Sequence, residues 1–434
     1  MNARIRQFLG NLSDTFWLLP AVLVIVGIAL ALGFVALDRS GMVPQALIDS
    51  PWLYNGGGTG ARTLLGAVAS STIGVAGTVF SITIAALSLA AGQMGPRLLR
   101  NFVKDRGNQF TLGAFLGTFS YALMVLRTVR SQDEGNFVPH ASLTVGILLA
   151  FLCVGTLVYF VGHMAGRINV DTVIELVSKD LCEAVASLTL THAPPPAEWS
   201  DFGPPAVEVS DDRRGYLQEL DREALADWAA AHAARIELLV RPGDFVFPGA
   251  VIARAEPAVE GLGTVISRTT ALGGQRVSRA ELEYPVRQLV EIAVRALSPG
   301  INDPHTAISV LDRMGATLCD IVPRYLPTGI TCRNGAPVIR TPATTYDGLT
   351  DAMFHMIRQN AAGSPAVLVR LVEVLVAVAA CERDPRRLAT LQRHAGLVVG
   401  DAKRTIATPA DLADLLACQA DTALAQPGGD GFGE

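Results

Sequence analysis

The sequence is most informative at first through what it lacks. Its six cysteines, Cys153, Cys182, Cys319, Cys332, Cys381 and Cys418, are scattered, with no C-x-x-C pair and no histidine at zinc-finger spacing. A disulfide framework and a zinc module are thereby excluded, and the cysteines read as small buried hydrophobes in a reducing compartment. With a net charge of -5 and no basic stripe interleaved with aromatics, nucleic acid is excluded as a partner. G-x-S-x-G, H-E-x-x-H, Walker A and Rossmann fingerprints are all missing in context, so no enzyme activity, catalytic residue, cofactor or metal is expected.

The most consequential absence is of charge. Between Arg62 and Arg97 no side chain is ionised, a stretch long enough to cross a hydrocarbon core of about 30 Å as one tilted helix. Similar apolar runs cover Thr15 to Leu37, Gly107 to Leu126 and Ala141 to Val161, giving four spans. A cleaved leader is the rival for the first, since Ala29-Leu30-Ala31 imitates a cleavage site, but the apolar run passes straight through it. Lys and Arg near the span ends divide into Arg4, Arg6, Arg97, Arg100, Lys104, Arg106 and Arg167 on one side and Arg39, Arg62, Arg127 and Arg130 on the other. The richer side is cytoplasmic by the positive-inside rule, and both termini are expected there.

Within the second span, Ala67, Ser70, Gly74, Gly77, Ser81 and Ser88 recur at steps of three and four. A face so poor in bulk suits protein or water better than lipid, either as a helix-packing surface or as the lining of a path around an oligomer axis. No carboxylate lies deep in a span, which argues against proton-driven transport. Arg97, Arg100, Lys104 and Arg106 follow the span as a basic collar, suited to anionic headgroups and, at a pore mouth, to anions.

Behind residue 166 the charges return. The transmembrane domain is expected over 1–166, an amphipathic connecting helix over 167–192, and a Pro-rich linker over 193–214. A small α/β module follows over 215–272, with a helical pattern from Gly215 to Ala234 and a hairpin joining Arg235–Arg241 to Phe245–Ile252 through Pro242-Gly243-Asp244. That spacing resembles the turn of biotinyl and lipoyl-like barrels, without their carrier lysine, so a barrel-like shape is expected and no carrier function. A helical bundle should occupy 273–425, and a floppy tail 426–434. Ala366 to Cys381 is apolar but holds Arg370 and Glu373, so it reads as a buried helix with an internal ion pair and not as a fifth span. Ser298, Pro299, Gly300, Asn302, Asp303 and Pro304 form a corner: Gly300 suits a helix exit, Asp303 an N-cap and Pro304 the first helical position. Capping accounts for Asp303, His305 has no partner at ligand spacing, and His163 reads as an interfacial packing residue.

Arg295 to Ala307, Phe80 to Ala90, Gly95 to Phe102, Gly215-Tyr216 and Pro242 to Val246 resemble the signatures of the bacterial membrane-protein family known as domain of unknown function 2254, from the first span to about residue 320. The resemblance implies a multi-pass inner-membrane protein with a cytoplasmic portion and supplies no catalytic residues. One departure is visible: Gly273 to Glu283 lacks the Gln-Asp pair the resemblance would place before the next helix. The fold class expected is therefore an α-helical integral membrane protein of four transmembrane helices with a cytoplasmic α/β region. In function it is expected to be a homo-oligomeric channel or transport-like protein with the second span facing the axis and the cytoplasmic part as vestibule or gate. The competing class is a non-conducting anchored sensor or scaffold whose cytoplasmic domain binds a partner protein.

Overall fold

The computed structural model describes residues 15–40, 54, 57–94, 105–129, 137–167, 169–195, 197–203, 206–276 and 281–424. They form two compact units, one within 11–169 and the other from 170 onward.

The first unit holds four helices long and apolar enough to cross a membrane: α1 (Leu18–Ser40), α2 (Gly58–Met94), α3 (Arg106–Leu126) and α4 (His140–Arg167). Of the span of α3, 50% is buried, against 22% in α1 and α4, so α3 is the helix the others pack around. Its glycines allow this. A Cβ on Gly117 would sit 2.8 Å from the carbonyl oxygen of Leu23, and a Cβ on Gly27 would collide with the carbonyl of Gly117. The α1–α3 contact is thus a backbone-to-backbone approach that only small residues permit. At one end of the unit, Leu65, Tyr121, Val125 and Leu143 close a shared core, and the Tyr121 hydroxyl donates to Ser142 O at 2.7 Å.

Polar contacts tie the helix ends into two layers. Asp38 in the last turn of α1 receives the Ala141 and Ser142 amides at 3.0 and 2.9 Å, and Arg62 at the start of α2 donates to Val129 O at 3.0 Å. At the opposite end Asp105 caps α3 through the Gly107 amide at 2.9 Å and meets His163 Nε2 at 2.7 Å. His163 also stacks on Tyr159, consistent with a packing role.

The second unit opens with α5 (Val170–Leu188), an amphipathic helix that buries Val173, Val177, Leu181 and Val185. Two sheets follow, made from β1 (Val207–Asp211), β2 (Gly215–Leu220), β3 (Arg235–Leu238), β4 (Phe245–Val246), β5 (Ala250–Glu256), β6 (Thr270–Gly273), β7 (Ile330–Arg333) and β8 (Ala336–Arg340). One sheet has the order β1-β5-β3-β8-β7, with β3 and β8 parallel, and the other the order β4-β2-β6. Two short helices, α6 (Arg222–Ala231) and α7 (Leu262–Thr269), pack Leu225, Ala229 and Ile266 against Ile236, Ala253 and Ile339 of the larger sheet.

Several expectations are corrected here. Neither sheet closes, so the described residues form no barrel. The expected hairpin is split: β3 pairs with β5, while β4 leaves for β2 in the other sheet. Pro242-Gly243-Asp244 is still a turn, with Gly243 at φ +98° and Asp244 O accepting from Leu217 N, but it hands the chain between sheets. Gly215 to Leu220 is a strand, and the helix starts only after Asp221, whose carboxylate accepts from the Ala224 amide. The Pro-rich linker contains β1, and it is pinned where Arg235 lies over the rings of Trp199 and Phe202 at 5.6 and 5.2 Å.

The remaining helices are α8 (Glu283–Ala296), α9 (Pro304–Ile321), α10 (Tyr346–Asn360), α11 (Pro365–Cys381), α12 (Pro385–Thr405) and α13 (Pro409–Leu424). They form a bundle interrupted by β7 and β8, two strands within the stretch 273–425 expected to be a helical bundle. The apolar helix α11 is buried through Leu368, Leu371, Leu375 and Val378, and Arg370 pairs with Glu373 at 2.7 Å as the spacing predicts.

Candidate functional site

Helix α2 has 37 residues, about 55 Å at 1.5 Å per residue, and so is longer than a hydrocarbon core requires. All its packing within the chain uses one side: Leu65, Ala69, Ala76, Val79, Ala86 and Ala90 are buried. Ala67, Ser70, Gly74, Gly77, Ser81 and Ser88 lie roughly opposite, and all six are exposed. A Cβ added at Gly74 or Gly77 would meet nothing within 4 Å. The small face is therefore not spent on packing inside the chain.

Its spacing is a heptad seam, 67-70-74-77-81-88, with Ile84 at the intervening step. It extends over about 32 Å, the thickness of the bilayer core. Hydroxyls on and beside the seam are satisfied locally, Ser81 donating to Gly77 O at 2.9 Å, Thr78 to Gly74 O at 3.2 Å and Ser71 to Val68 O at 3.1 Å. Each uses its proton on its own helix and keeps lone pairs directed outward. The outer side of α4 differs, with Leu148, Phe151, Val158 and Val161 exposed, the bulky surface that acyl chains favour.

Of the basic collar, Arg106 is the first residue of α3 and is exposed, whereas Arg97, Arg100 and Lys104 lie outside the described residues. The corner forms between α8 and α9. Asp303 accepts from the Thr306 amide at 3.2 Å and the Thr306 hydroxyl at 2.6 Å, with Pro304 at the first helical position. Those hydrogen bonds, led by the one from the Thr306 hydroxyl, hold the Asp303 carboxyl below its ordinary range. Asn302 takes the left-handed conformation in this corner, at φ +50°, and Ser298 O accepts from both the Ile301 and Asn302 amides.

The segment that lacks the Gln-Asp pair carries buried acids of its own. Glu281 meets Arg276 at 2.5 Å and Arg287 at 3.7 Å, and Glu283 meets Arg241 at 2.9 Å and the Thr344 hydroxyl at 3.0 Å. Arg241, Glu281 and Glu283 line a cavity of about 250 Å³ whose wall also includes Arg222, hydrogen-bonded to Thr341 at 3.2 Å. Burial pulls the Arg222 and Arg287 guanidiniums down from their ordinary value, and for Arg287 the nearby Arg276 adds to it. The cavity wall itself holds two guanidiniums, Arg222 and Arg241, against two carboxylates, Glu281 and Glu283.

One grouping was not anticipated. Asp351 and His355 are one turn apart on α10, and His394 on α12 joins them; a ligand atom from each lies within 4.8 Å of the others. The i, i+4 spacing of Asp351 and His355 was visible in the sequence, but nothing local marked His394 as their partner.

Comparison with known proteins agrees with the sequence and the helices. Uncharacterized proteins of Mycobacterium tuberculosis and Mycobacterium bovis are each 31% identical to this chain over 446 residues, covering 98% of it and 84% of their own length. No solved structure matches. The family described as Predicted membrane protein (DUF2254) matches residues 13–377, further than the quoted motifs reach, and this chain belongs to it.

Proposed function

We propose that the protein is a homo-oligomeric channel or transport-like protein of the bacterial inner membrane, in which the outward face of α2 meets its counterparts in neighbouring copies around an axis. The observation that carries this reading is the exposure of the entire heptad seam of small residues while the opposite side of the same helix does all the intrachain packing. Small side chains lower the contact that lipid tails make with a helix and let a second backbone approach closely, so the seam gains more from a copy of itself than from acyl chains. A path bounded by hydroxyl lone pairs with no fixed charge selects weakly.

Orientation follows from the basic residues. The contacts of Asp38 with Ser142 and of Asp105 with His163 sort the helix ends into the same two groups as the counts of Lys and Arg, and the positive-inside rule puts both termini in the cytoplasm. The second unit then serves as vestibule or gate.

Planar-bilayer recording of purified protein beside a Ser81→Leu variant tests this. Conductance in the wild type that Leu reduces supports the reading; conductance absent throughout, or indifferent to Leu, counts against it. The cavity, with the guanidiniums of Arg222 and Arg241 in its wall, favours a second reading, a non-conducting anchored sensor that binds an anionic partner. A monomer in mild detergent whose thermal stability rises with added inorganic phosphate would support that alternative.

A further inference from the structure

We infer that Asp351, His355 and His394 form a binding site for a divalent transition-metal ion, zinc fitting best, in the helical bundle of the second unit. The geometry is specific. Nε2 of His355 and Nε2 of His394 each lie 3.0 Å from one and the same oxygen, Oδ1 of Asp351. Ligand bonds of about 2.0–2.1 Å in a tetrahedral zinc site place neighbouring donor atoms about 3.3 Å apart. The two histidine-to-carboxylate edges are already close to that length, and all three ligand atoms lie within 4.8 Å of one another.

The metal-free arrangement is awkward as a hydrogen-bond network. Three nitrogens crowd Oδ1 of Asp351, of which Arg393 donates a hydrogen bond at 2.6 Å, and the same Arg393 nitrogen lies 3.4 Å from Nε2 of His394. Meanwhile Nδ1 of His355 and Nδ1 of His394 are buried with no hydrogen-bond partner. With its proton on Nδ1, either ring presents the Nε2 lone pair for coordination. A cation bound between the three donors relieves the crowding on Oδ1 and gives both imidazoles a use for Nε2.

Exposure points to the kind of site. His394 forms the floor at 1% side-chain exposure, packed edge-on against Phe354, whereas His355 and Asp351 form the rim at 33% and 38%. Three protein ligands with an open rim leave a fourth position for water or an exchangeable ligand, unlike a closed four-ligand structural site. Two histidines and one carboxylate suit zinc and, among other first-row ions, iron(II) or manganese(II). Arg393 is the opposing charge; at 42% exposure it has room to turn toward solvent as the cation enters.

The test uses tag-free full-length protein in detergent, stripped with chelator and titrated with zinc chloride by calorimetry, with cobalt(II) absorption as a report on coordination geometry. His355→Ala and Asp351→Asn remove rim ligands and spare the buried floor. The expected result is one zinc per chain, visible cobalt bands of tetrahedral type, and affinity lowered at least about a hundredfold in both variants, whose melting curves without metal stay near the wild type. Absence of stoichiometric binding in the wild type overturns the site. Binding unchanged in both variants overturns it equally, by moving the metal to other groups such as the exposed Cys182 and Cys381.

Discussion

Ser142 donates its hydroxyl to Oδ2 of Asp38 at 2.6 Å and its amide to the same oxygen at 2.9 Å, so the last turn of one membrane helix caps the first turn of another. A carboxylate there satisfies amides that a helix start leaves unpaired and sits at the positive end of its dipole. Replacing Asp38 by Ala should lower stability by about 1.5–3 kcal/mol, the range for hydrogen bonds to a charged group. Ser142→Ala should cost less, because the amide bond survives. Thermal unfolding in detergent reads both, and the double variant should be little worse than Asp38→Ala alone.

Glycines in the first unit fall into two classes, and substitution separates them. Gly117→Leu drives a side chain into the Leu23 backbone and should unfold the α1–α3 contact in an isolated chain. Gly74→Leu meets open space, so the chain should fold as before. If copies associate through the α2 seam, Gly74→Leu abolishes their association while leaving the monomer intact, which light scattering in detergent resolves. An oligomer that survives Gly74→Leu would place its interface elsewhere.

Much of this architecture could be read from local sequence, and the failures share one cause. The four apolar runs, the Asp303 cap with Pro304, and the Arg370–Glu373 pair each depend on residues within a turn or two of one another. What could not be read is non-local. Gly215 to Leu220 is a strand because β4 and β6 flank it, and β3 lies in a mixed sheet because β8 arrives from about a hundred residues downstream. Val207–Asp211 hides in a Pro-rich stretch for the same reason, being a strand only beside β5. The α2 seam was recognised by composition, yet its outward direction depends on which other face α3 and α4 occupy. His394 is the clearest case: it meets Asp351 only because α10 and α12 pack together.

The Asp303 cap carries a pH signature. Its hydrogen bonds depress the folded-state pKa, so the stability they supply is present above the unfolded-state value near 3.8 and is lost as pH falls below it. Asp303→Asn keeps an N-cap acceptor and should remove that part of the acid sensitivity. Asp303→Ala should cost about 1 kcal/mol at neutral pH. Unfolding midpoints at pH 7 and at pH 3 distinguish the two: the gap between wild type and Asp303→Asn should narrow at the lower pH.

Glu281 tests how much a buried carboxylate between two arginines contributes in the second unit. Its carboxylate is 1% exposed and meets both Arg276 and Arg287, so neutralising it removes the anion between two guanidiniums that repel each other. Removing one partner of a fully buried pair costs about 3–5 kcal/mol, because the other charge stays desolvated. Here Arg276 and Arg287 keep 28% and 39% exposure, and water screens part of the penalty, so Glu281→Gln should cost about 2 kcal/mol. Adding Arg287→Met to Glu281→Gln takes away one of the uncompensated cations and should return part of the loss. Were the double variant instead the less stable of the two by denaturant unfolding, Arg287 would be contributing through the packing of its stem and not through its charge.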